Sequence, residues 1–471
     1  MQIGKKDIAW NIVATFMRIA SGIILLPMVL RMLPAQEVGL WNIFLYIGSL
    51  ATLLDFGFSN SFSRNITYIF SGVKTLKPTG FIAVDESDKS VDFSLLKSVI
   101  KAMRRYYAIL AGFFLIIFLA ISPFYLKSIL SNYQGNKESV EIAWVLYGTL
   151  VAYQLYTYYY NSILVGRGQI KRSLQITVLS QGLRITISMI FLLSGFGLMS
   201  LVIGMFFSDF INRTLCYYSF YDKEIKSNLK NSITLPIKDI MQIMTQNAIK
   251  IGVTTIGGFL ITKAVVLISP LYLSLAEIGT YGTTKQMIDL ISSLGGILFY
   301  TYYPQITSYK VNNEINKVKN LYIKSKLSLI AIYIFCSLGL IFIGPQLLIL
   351  IHSKTHLLPT SMMLVFLVIS FLEANHGISA GLLLMNNEVP FMKASLLSGI
   401  SVLLLLLTGL MYFKIGIWAM ILAPGIAQIV YQNWKWPSMV IKDLQITRLD
   451  IKSSTKELIK QIKLPAFLNR T

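Results

Sequence analysis

Stretches of about 20 predominantly apolar residues recur from one end of this 471-residue chain to the other. Each stretch is long enough to cross a hydrocarbon core of about 30 Å as an α-helix. Hydrophobic residues make up 55% of the chain and charged residues only 13%, whereas a soluble globular protein carries about 25% charged residues. The sequence therefore predicts an all-α integral membrane protein without a soluble domain.

Twelve of these stretches are predicted to be transmembrane helices. They lie near 8–30, 40–62, 106–126, 142–164, 173–194, 199–219, 248–270, 279–301, 327–350, 359–385, 394–413 and 416–438. The first lacks the short apolar core and small-residue cleavage site of a signal peptide, so we interpret it as a retained span. The spans group into an N-terminal six-helix bundle (1–219), a cytoplasmic linker (220–247), a C-terminal six-helix bundle (248–438) and a cytoplasmic tail (439–471).

Basic residues are distributed unevenly between the two sets of loops. With both termini in the cytoplasm, the cytoplasmic segments hold 31 of the 42 lysines and arginines, and the opposite loops hold five. Positive charge is retained on the cytoplasmic side of membrane proteins. Topology therefore explains most of the net charge of +21, which favours anionic lipid headgroups and requires no nucleic-acid partner. The two cysteines and three histidines are too scattered to predict a disulfide framework, a metal site or a cofactor.

Two predicted cytoplasmic segments have amphipathic patterns. Residues 93–105 place Leu96, Ile100 and Met103 on one helical face and basic residues on the rest. Residues 454–463 open with a capping box from Ser454 to Glu457. Each segment is either an interfacial helix or a solvated helix end, and both alternatives remain open.

A short pattern occurs at equivalent points of the two halves. Glu37-Val38-Gly39-Leu40-Trp41 opens the second span, and Glu277-Ile278-Gly279-Thr280-Tyr281 opens the eighth, 240 residues later. Such an echo favours two parallel repeats related by an axis along the membrane normal, an arrangement found in secondary transporters.

Four cations inside predicted spans indicate a wet interior. Arg18, Arg184 and Lys263 lie near the middle of spans one, five and seven, and Lys285 lies in the outer half of span eight. A charge facing lipid at the helix centre costs at least about 3 kcal/mol, so these side chains are expected to face a cavity. We predict that the four form a cationic site for an anionic substrate.

Structural ion pairs are the alternative explanation for some of these charges. Lys285 with Asp289, and Arg213 with Asp209, stand at i, i+4 spacing and are the strongest candidates for such pairs.

Carboxylates inside spans admit two roles. Asp55, Asp209 and Glu373 either bind a coupling ion or act as counter-ions of the basic cavity. His376 follows Glu373 by one helical turn, a spacing that would suit a proton relay.

A run of tyrosines ends the fourth span. An aromatic belt at the membrane interface explains such a run, and contacts with sugar rings are the alternative. The candidate sugar contacts are Tyr153, Gln154 and Tyr158, with Gln181 on the polar stripe that leads to Arg184 in span five.

Residues Lys5–Asn65 resemble a known family. The stretch contains Glu37-Val38-Gly39-Leu40-Trp41 and then Leu54-Asp55-Phe56-Gly57-Phe58-Ser59, and it is similar to the O-antigen (Wzx-type) polysaccharide flippases of the multidrug/oligosaccharidyl-lipid/polysaccharide (MOP) exporter superfamily. The resemblance implies two six-helix bundles that form a V and open alternately to each side of the bacterial inner membrane. It also implies a cationic cavity, here Arg18, Arg184 and Lys263, for an undecaprenyl-pyrophosphate-linked oligosaccharide. Membrane lipids and other polysaccharide-assembly proteins are the implied partners.

The sequence thus predicts a flippase for a lipid-linked oligosaccharide rather than an enzyme. A multidrug/cation antiporter of the same superfamily would favour acids and aromatics over midplane cations. A membrane polysaccharide polymerase or ligase would expose a large outer loop, whereas the longest one here has about fifteen residues near 127–141. A membrane scaffold would have no use for buried charge.

Overall fold

In a computed structural model of the protein, the described residues are 24–76, 90–385 and 389–463, together with Trp10, Met17 and Gly22. These residues form helices and connecting turns, with no β-strand among them. The predicted all-α fold is confirmed. Only residues 24–32 of the first predicted span form a continuous described helix, and Arg18 lies outside the described residues.

The helices follow one another with short connections. The first nine are α1 (24–32), α2 (Ala35–Leu54), α3 (Phe58–Phe70), α4 (Phe93–Ile129), α5 (Lys137–Thr157), α6 (Tyr159–Gly166), α7 (Ile170–Leu193), α8 (Met199–Phe220) and α9 (Lys223–Asn231). The next five are α10 (Ile237–Thr262), α11 (Ala264–Ile268), α12 (Leu275–Val311), α13 (Ile315–Phe342) and α14 (Gly344–Leu350). The last are α15 (Thr360–Leu384), α16 (Met392–Leu407), α17 (Ile417–Ile429), α18 (Gln432–Asp443) and α19 (Arg448–Lys463).

Each predicted span from the second onward coincides with one helix or with two consecutive helices. Within the described ranges, six helices are long and apolar enough to cross a membrane: α2, α4, α7, α13, α15, and α16 with the π-helical turn that extends it to Tyr412. The bent pair Gly252–Thr262 and Ala264–Leu271, which turns by 53°, makes a seventh. The protein is therefore a multi-pass membrane protein.

One side of α4 carries exposed apolar side chains, and the other side is buried in protein. Ile116 and Phe124 are 70% and 78% exposed, whereas Phe114 and Phe118 on the other side of the helix are buried. Lipid tails are as apolar as these side chains, so an apolar outer surface carries no penalty in a bilayer.

Contacts divide the chain into two compact units. Unit 1 comprises Met1–Phe259, Val266–Gly279 and Ile351–Thr355. Unit 2 comprises Leu260–Val265, Thr280–Leu350 and His356–Thr471. The domain bounds predicted from the sequence come from counting spans and not from contacts. They stay a prediction: two bundles at 1–219 and 248–438, a linker at 220–247 and a tail at 439–471.

The amphipathic segment 93–105 is the first part of α4. Asp92 caps this helix by accepting hydrogen bonds from two backbone N–H groups. Leu96, Ile100 and Met103 are buried in the hydrophobic core of unit 1, which also includes side chains of α3, α6 and α8. The prediction of an interfacial helix is therefore wrong, because protein covers the apolar face, whereas the exposed Lys101, Arg104 and Arg105 agree with a solvated helix end.

The polar face of the same segment holds the connection between α9 and α10. Ser98 Oγ accepts a hydrogen bond from the N–H of Leu235 at 2.6 Å. Lys97 Nζ donates to the carbonyl of Ser232, also at 2.6 Å. The basic end of α4 is thus part of the packed body of unit 1.

The C-terminal amphipathic helix starts earlier than its sequence pattern predicts. α19 begins at Arg448, and its capping box is formed by Thr447 and Asp450. The N–H and hydroxyl of Thr447 and the ammonium of Lys319 hold the pKa of the Asp450 carboxyl below its usual value. The predicted capping box is therefore wrong.

Ser454 and Glu457, the residues of that predicted box, instead attach α19 to α13. Ser454 Oγ donates to Asn320 Oδ1 at 3.0 Å, and Lys324 Nζ lies 2.9 Å from a carboxylate oxygen of Glu457. Both sites lie within unit 2, so α19 packs against protein at this point.

Candidate functional site

A cavity of about 350 Å³ in unit 2 brings four ionisable side chains together. Lys263, Lys285, Asp289 and Glu373 line it. Lys285 Nζ lies 2.9 and 3.2 Å from the two carboxylate oxygens of Asp289, so the predicted pair is confirmed. Lys263 lies within electrostatic range of the other three charges.

Lys263 is the residue at which one predicted span breaks. It separates α10 from α11, where the helix axis turns by 53°. Irregular backbone at membrane depth is tolerated where it lines a cavity, and broken helices are typical of binding sites in transporters. Thr262 and Ala264 flank the break, so neither glycine nor proline marks it in the sequence.

Polar residues of α15 point in different directions within unit 2. Glu373 faces the cavity, whereas His376 Nδ1 forms a 2.7 Å hydrogen bond with Asn433 Oδ1 of α18. Lys326 Nζ donates to Asn375 Oδ1, likewise at 2.7 Å. The structure places Nδ1 of His376 on Asn433, and a relay from Glu373 to His376 stays a prediction.

The charges of this cavity are balanced. Two lysines face two carboxylates, which gives a formal charge of zero when all four are ionised. An anionic ligand therefore has to compete with Asp289 and Glu373 for the ammonium groups of Lys263 and Lys285.

A second polar cluster lies inside unit 1, where α5, α7 and α8 meet. The side-chain amide of Gln154 donates a hydrogen bond to the carboxylate of Asp209. Arg184 lies within electrostatic range of Asp209 and of the hydroxyl of Tyr147. Gln181, one turn before Arg184, has a buried Oε1 with no hydrogen-bond partner among the described residues. Three predicted site residues, Arg184, Asp209 and Gln154, are thus brought together.

Arg213 does not form the predicted contact with Asp209. Its guanidinium lies 5.8 Å from the ring centroid of Tyr158, and the ion pairs within the described ranges do not include it. The two side chains interact only at longer range. Tyr153 is within electrostatic range of both of them.

Asp55 occupies the break between α2 and α3. It is 5% exposed, and its carboxylate accepts hydrogen bonds from the N–H and hydroxyl of Ser59 at 3.1 and 2.7 Å. The hydroxyl of Tyr107 donates to it as well. Gly57 has a φ of 75°, in the left-handed region that glycine adopts without strain. Asp55 therefore ends α2 and binds Ser59 in the first turn of α3, and its role in ion coupling stays a prediction.

The glycines of the two echoed pentapeptides lie against each other within unit 1. A Cβ on Gly39 would lie 1.9 Å from the carbonyl oxygen of Leu275, and a Cβ on Gly279 would lie 2.6 Å from that of Ala35. Each copy of the pattern thus contributes its glycine to one close crossing of α2 and α12. The relation of the two halves as parallel repeats stays a prediction.

Comparison with known proteins finds solved structures with the same fold but no protein of similar sequence. No protein-family profile and no curated protein sequence matches the chain. An inward-facing multidrug resistance MATE family transporter of the MOP superfamily matches with a TM-score of 0.64 and 16% identity, over 92% of this chain and 96% of that one. Lipid II flippase MurJ in an inward closed conformation matches with a TM-score of 0.64 and 14% identity, over 97% and 91%. MATE in a bent conformation matches with a TM-score of 0.53 and 16% identity, over 96% of both chains.

The chain has the fold of this MATE family transporter and of MurJ. At these identities the likeness establishes the fold alone. Because a multidrug transporter and a lipid II flippase share this fold, the fold leaves both the function and the substrate to be argued from the residues.

One part of the site has a signal in the sequence that the prediction did not use. Lys285, Asp289, Ser292, Gly296 and Tyr300 of α12 all line the cavity of unit 2. They are spaced by three or four residues, so they share one helical face. The helical period of this stripe would have added Ser292 and Tyr300 to the predicted site.

Proposed function

We propose that the chain is a flippase that moves an undecaprenyl-pyrophosphate-linked oligosaccharide from the cytoplasmic to the outer leaflet of the bacterial inner membrane. The observation that carries the proposal is the cavity of unit 2, where Lys263 and Lys285 meet hydroxyl-bearing side chains within a membrane fold. The O-antigen or surface-polysaccharide assignment, and cytoplasmic positions for both termini, belong to the same proposal.

The chemistry of such a substrate matches these residues. A pyrophosphate and its sugars cannot cross hydrocarbon, whereas the polyprenyl tail can remain in it. The headgroup therefore needs a wet path with fixed positive charges, in which arginine binds phosphate through two parallel hydrogen bonds and lysine acts as a point charge. In this proposal Arg18, Arg184, Lys263 and Lys285 bind the headgroup.

Carboxylates near these cations would set the direction of the cycle. Asp55, Asp209 and Glu373 are proposed to bind a coupling ion or to act as counter-ions when the substrate is absent. Transport then requires that the substrate bind the inward and outward states with different affinity.

Mass spectrometry of lipids that remain bound to the purified full-length protein tests the proposal. We expect a polyprenyl-pyrophosphate sugar in the wild-type preparation and at least tenfold less of it in a Lys263→Ala preparation. A Lys137→Ala preparation is the matched control, because Lys137 is an exposed lysine outside the site. Wild-type protein that retains only bulk phospholipid from cells producing such a glycolipid would contradict a flippase function.

A multidrug/cation antiporter is the second candidate. The observation that favours it is the presence of Asp289 and Glu373 in the same cavity. Carboxylates can bind an organic cation in the same way that they bind the ammonium group of a lysine. Export of ethidium from cells separates the candidates. An antiporter would lose export in Glu373→Gln and keep it in Lys263→Ala, and a flippase would show no ethidium export in any variant.

A further inference from the structure

Unit 1 carries a row of tyrosines with an arginine at each end. Three residues at intervals of four share one face of α8: Arg213, Tyr217 and Tyr221, the last of which ends the helix. Tyr160 of the neighbouring helix α6 packs its ring edge-on against Tyr217, with 5.7 Å between centroids. The rings of Tyr217 and Tyr221 are 4.7 Å apart.

Arg104 of α4 marks the other end of the row. Its Nε donates a hydrogen bond to the hydroxyl of Tyr156 at 3.1 Å. The guanidinium also lies within electrostatic range of Tyr160 and Tyr221. We call Arg104, Tyr156, Tyr160, Arg213, Tyr217 and Tyr221 the tyrosine track.

Burial separates the track from the core tyrosines beside it. Tyr107 and Tyr159 are buried, whereas Tyr156, Tyr160 and Tyr217 are half-buried and Arg104 is exposed. An aromatic belt that only anchors the chain in lipid does not require the fixed guanidinium–hydroxyl contact made by Arg104 and Tyr156.

The charge of Arg104 is not neutralised by a carboxylate of the described residues. A guanidinium has five N–H donors, and one of those on Arg104 is engaged by Tyr156. The remaining donors suit phosphate, carboxylate or sugar hydroxyl oxygens, and guanidinium binds the anionic ones bidentately. Tyrosine offers an apolar ring face and a polar hydroxyl, the combination that matches the apolar face and hydroxyl edge of a pyranose.

We propose that the tyrosine track binds the sugar rings of a membrane-anchored oligosaccharide, with Arg104 contacting the hydroxyl or acidic groups of the distal sugars and Arg213 lying toward the phosphate end. Arg213 and Tyr221 are separated by about 12 Å along the helix, at 1.5 Å per residue. That length exceeds one pyranose ring, so the track binds more than one sugar. This inference rests on the proposed flippase function and assigns the part of the site that recognises the sugar.

Binding of two lipid probes to the purified full-length protein in nanodiscs tests the track. The probes are undecaprenyl pyrophosphate and undecaprenyl pyrophosphate linked to N-acetylglucosamine. We expect the sugar-bearing probe to bind the wild type more tightly. Tyr160→Leu and Tyr217→Leu should each weaken its binding about 3- to 10-fold, the range of aromatic contacts, without changing the binding of the sugar-free probe.

Matched variants keep the outcome interpretable. Tyr160→Phe and Tyr217→Phe retain the ring and should retain most of the preference for sugar. Tyr412→Leu removes a tyrosine that is 81% exposed and lies in unit 2, away from the track, and should have no effect. Unchanged binding of the sugar-free probe shows that a leucine variant is folded.

Two negative results have different meanings. Wild-type protein that binds neither probe contradicts the proposed flippase function and the track with it. Wild-type protein that binds both probes equally, or leucine variants that keep the preference for sugar, would overturn the track alone and identify these tyrosines as an interfacial belt.

Discussion

Lys285 and Asp289 show, at the scale of the residue, how charge is accommodated inside this protein. The lysine side chain is 9% exposed and the carboxylate 48% exposed to the cavity. Because the Lys285 side chain is nearly buried, replacing it removes packing contacts as well as the ion pair. A Lys285 variant therefore tests stability and binding together, whereas Lys263, at the helix break, is the better probe of the substrate.

Removing the proposed headgroup cations should impair polysaccharide export. We expect Lys263→Ala, Arg184→Ala and Arg18→Ala each to lower substrate affinity about 10- to 100-fold, because a charge-assisted hydrogen bond contributes roughly 1.5–3 kcal/mol. Export measured in intact cells should fall while the amount of protein in the membrane stays near normal. Disappearance of a variant from the membrane would instead assign its cation a structural role.

Amide variants of Asp55 in unit 1 and Glu373 in unit 2 test ion coupling. Asp55→Asn and Glu373→Gln should keep substrate binding, since the side-chain oxygen of asparagine can still accept the hydrogen bond from the N–H of Ser59 and glutamine preserves the shape of the cavity. If either residue binds the coupling ion, its variant should lose the response of flipping to an imposed proton or sodium gradient in proteoliposomes. An unchanged gradient response in both variants would rule out ion coupling and leave Asp55 as a structural hydrogen-bond acceptor and Glu373 as a counter-ion.

Helices that continue beyond, or break within, the predicted spans are the main features at the scale of the element. α4 extends a predicted span of 106–126 to Phe93–Ile129 as one helix, and its first part packs into unit 1. Conversely, Lys263 breaks a predicted span into α10 and α11. Local hydropathy predicts where a helix enters hydrocarbon, but packing decides how far it continues and where it bends.

A matched pair of isoleucines on α4 tests the packing of its first part. Ile100 is 7% exposed and Ile116 is 70% exposed. We expect Ile100→Ala to lower the free energy of unfolding by about 2–5 kcal/mol, the usual range for a buried isoleucine, and Ile116→Ala to change it little. SDS titration in mixed micelles measures both. Equal effects would support a membrane-surface location for residues 93–105.

Alanine at either echoed glycine should disrupt the crossing of α2 and α12. A Cβ at 1.9 or 2.6 Å from a backbone carbonyl forces the helices apart, so we expect Gly39→Ala and Gly279→Ala each to destabilise the protein by about 1–3 kcal/mol. Gly112→Ala is the control, because its Cβ would meet open space and helix propensity favours alanine by roughly 0.5–1 kcal/mol. Thermal unfolding in detergent measures the stability of the three variants. Equal melting temperatures for all three would contradict the expected role of the crossing.

Orientation in the membrane is a property of the whole molecule that the loop charges predict. The asymmetry of 31 basic residues against five comes from many segments, so no single loop decides it. The same orientation places α9, α19 and the first part of α4 in the cytoplasm and the connection between α4 and α5 outside.

Cysteine labelling from outside intact cells tests this topology. In a background without Cys216 and Cys336, cysteines at the exposed positions Asn136 and His352 should react with an impermeant maleimide. Cysteines at Lys74 and Lys456, which are also exposed, should react only after the membrane is permeabilised. Labelling of Lys74→Cys in intact cells would reverse the predicted orientation.

The sequence alone determined the all-helical membrane class, the approximate places of the spans and the pairing of Lys285 with Asp289. These features follow from local constraints, since a bilayer dictates the length and hydropathy of a span and a helix brings residues four apart together. Only the tertiary structure decided that Asp209 binds Gln154 rather than Arg213 and that Glu373 faces Lys263 while His376 turns to Asn433. Each of those choices depends on which helices pack side by side, and contacts between residues 50 or more positions apart leave no periodic trace in one sequence.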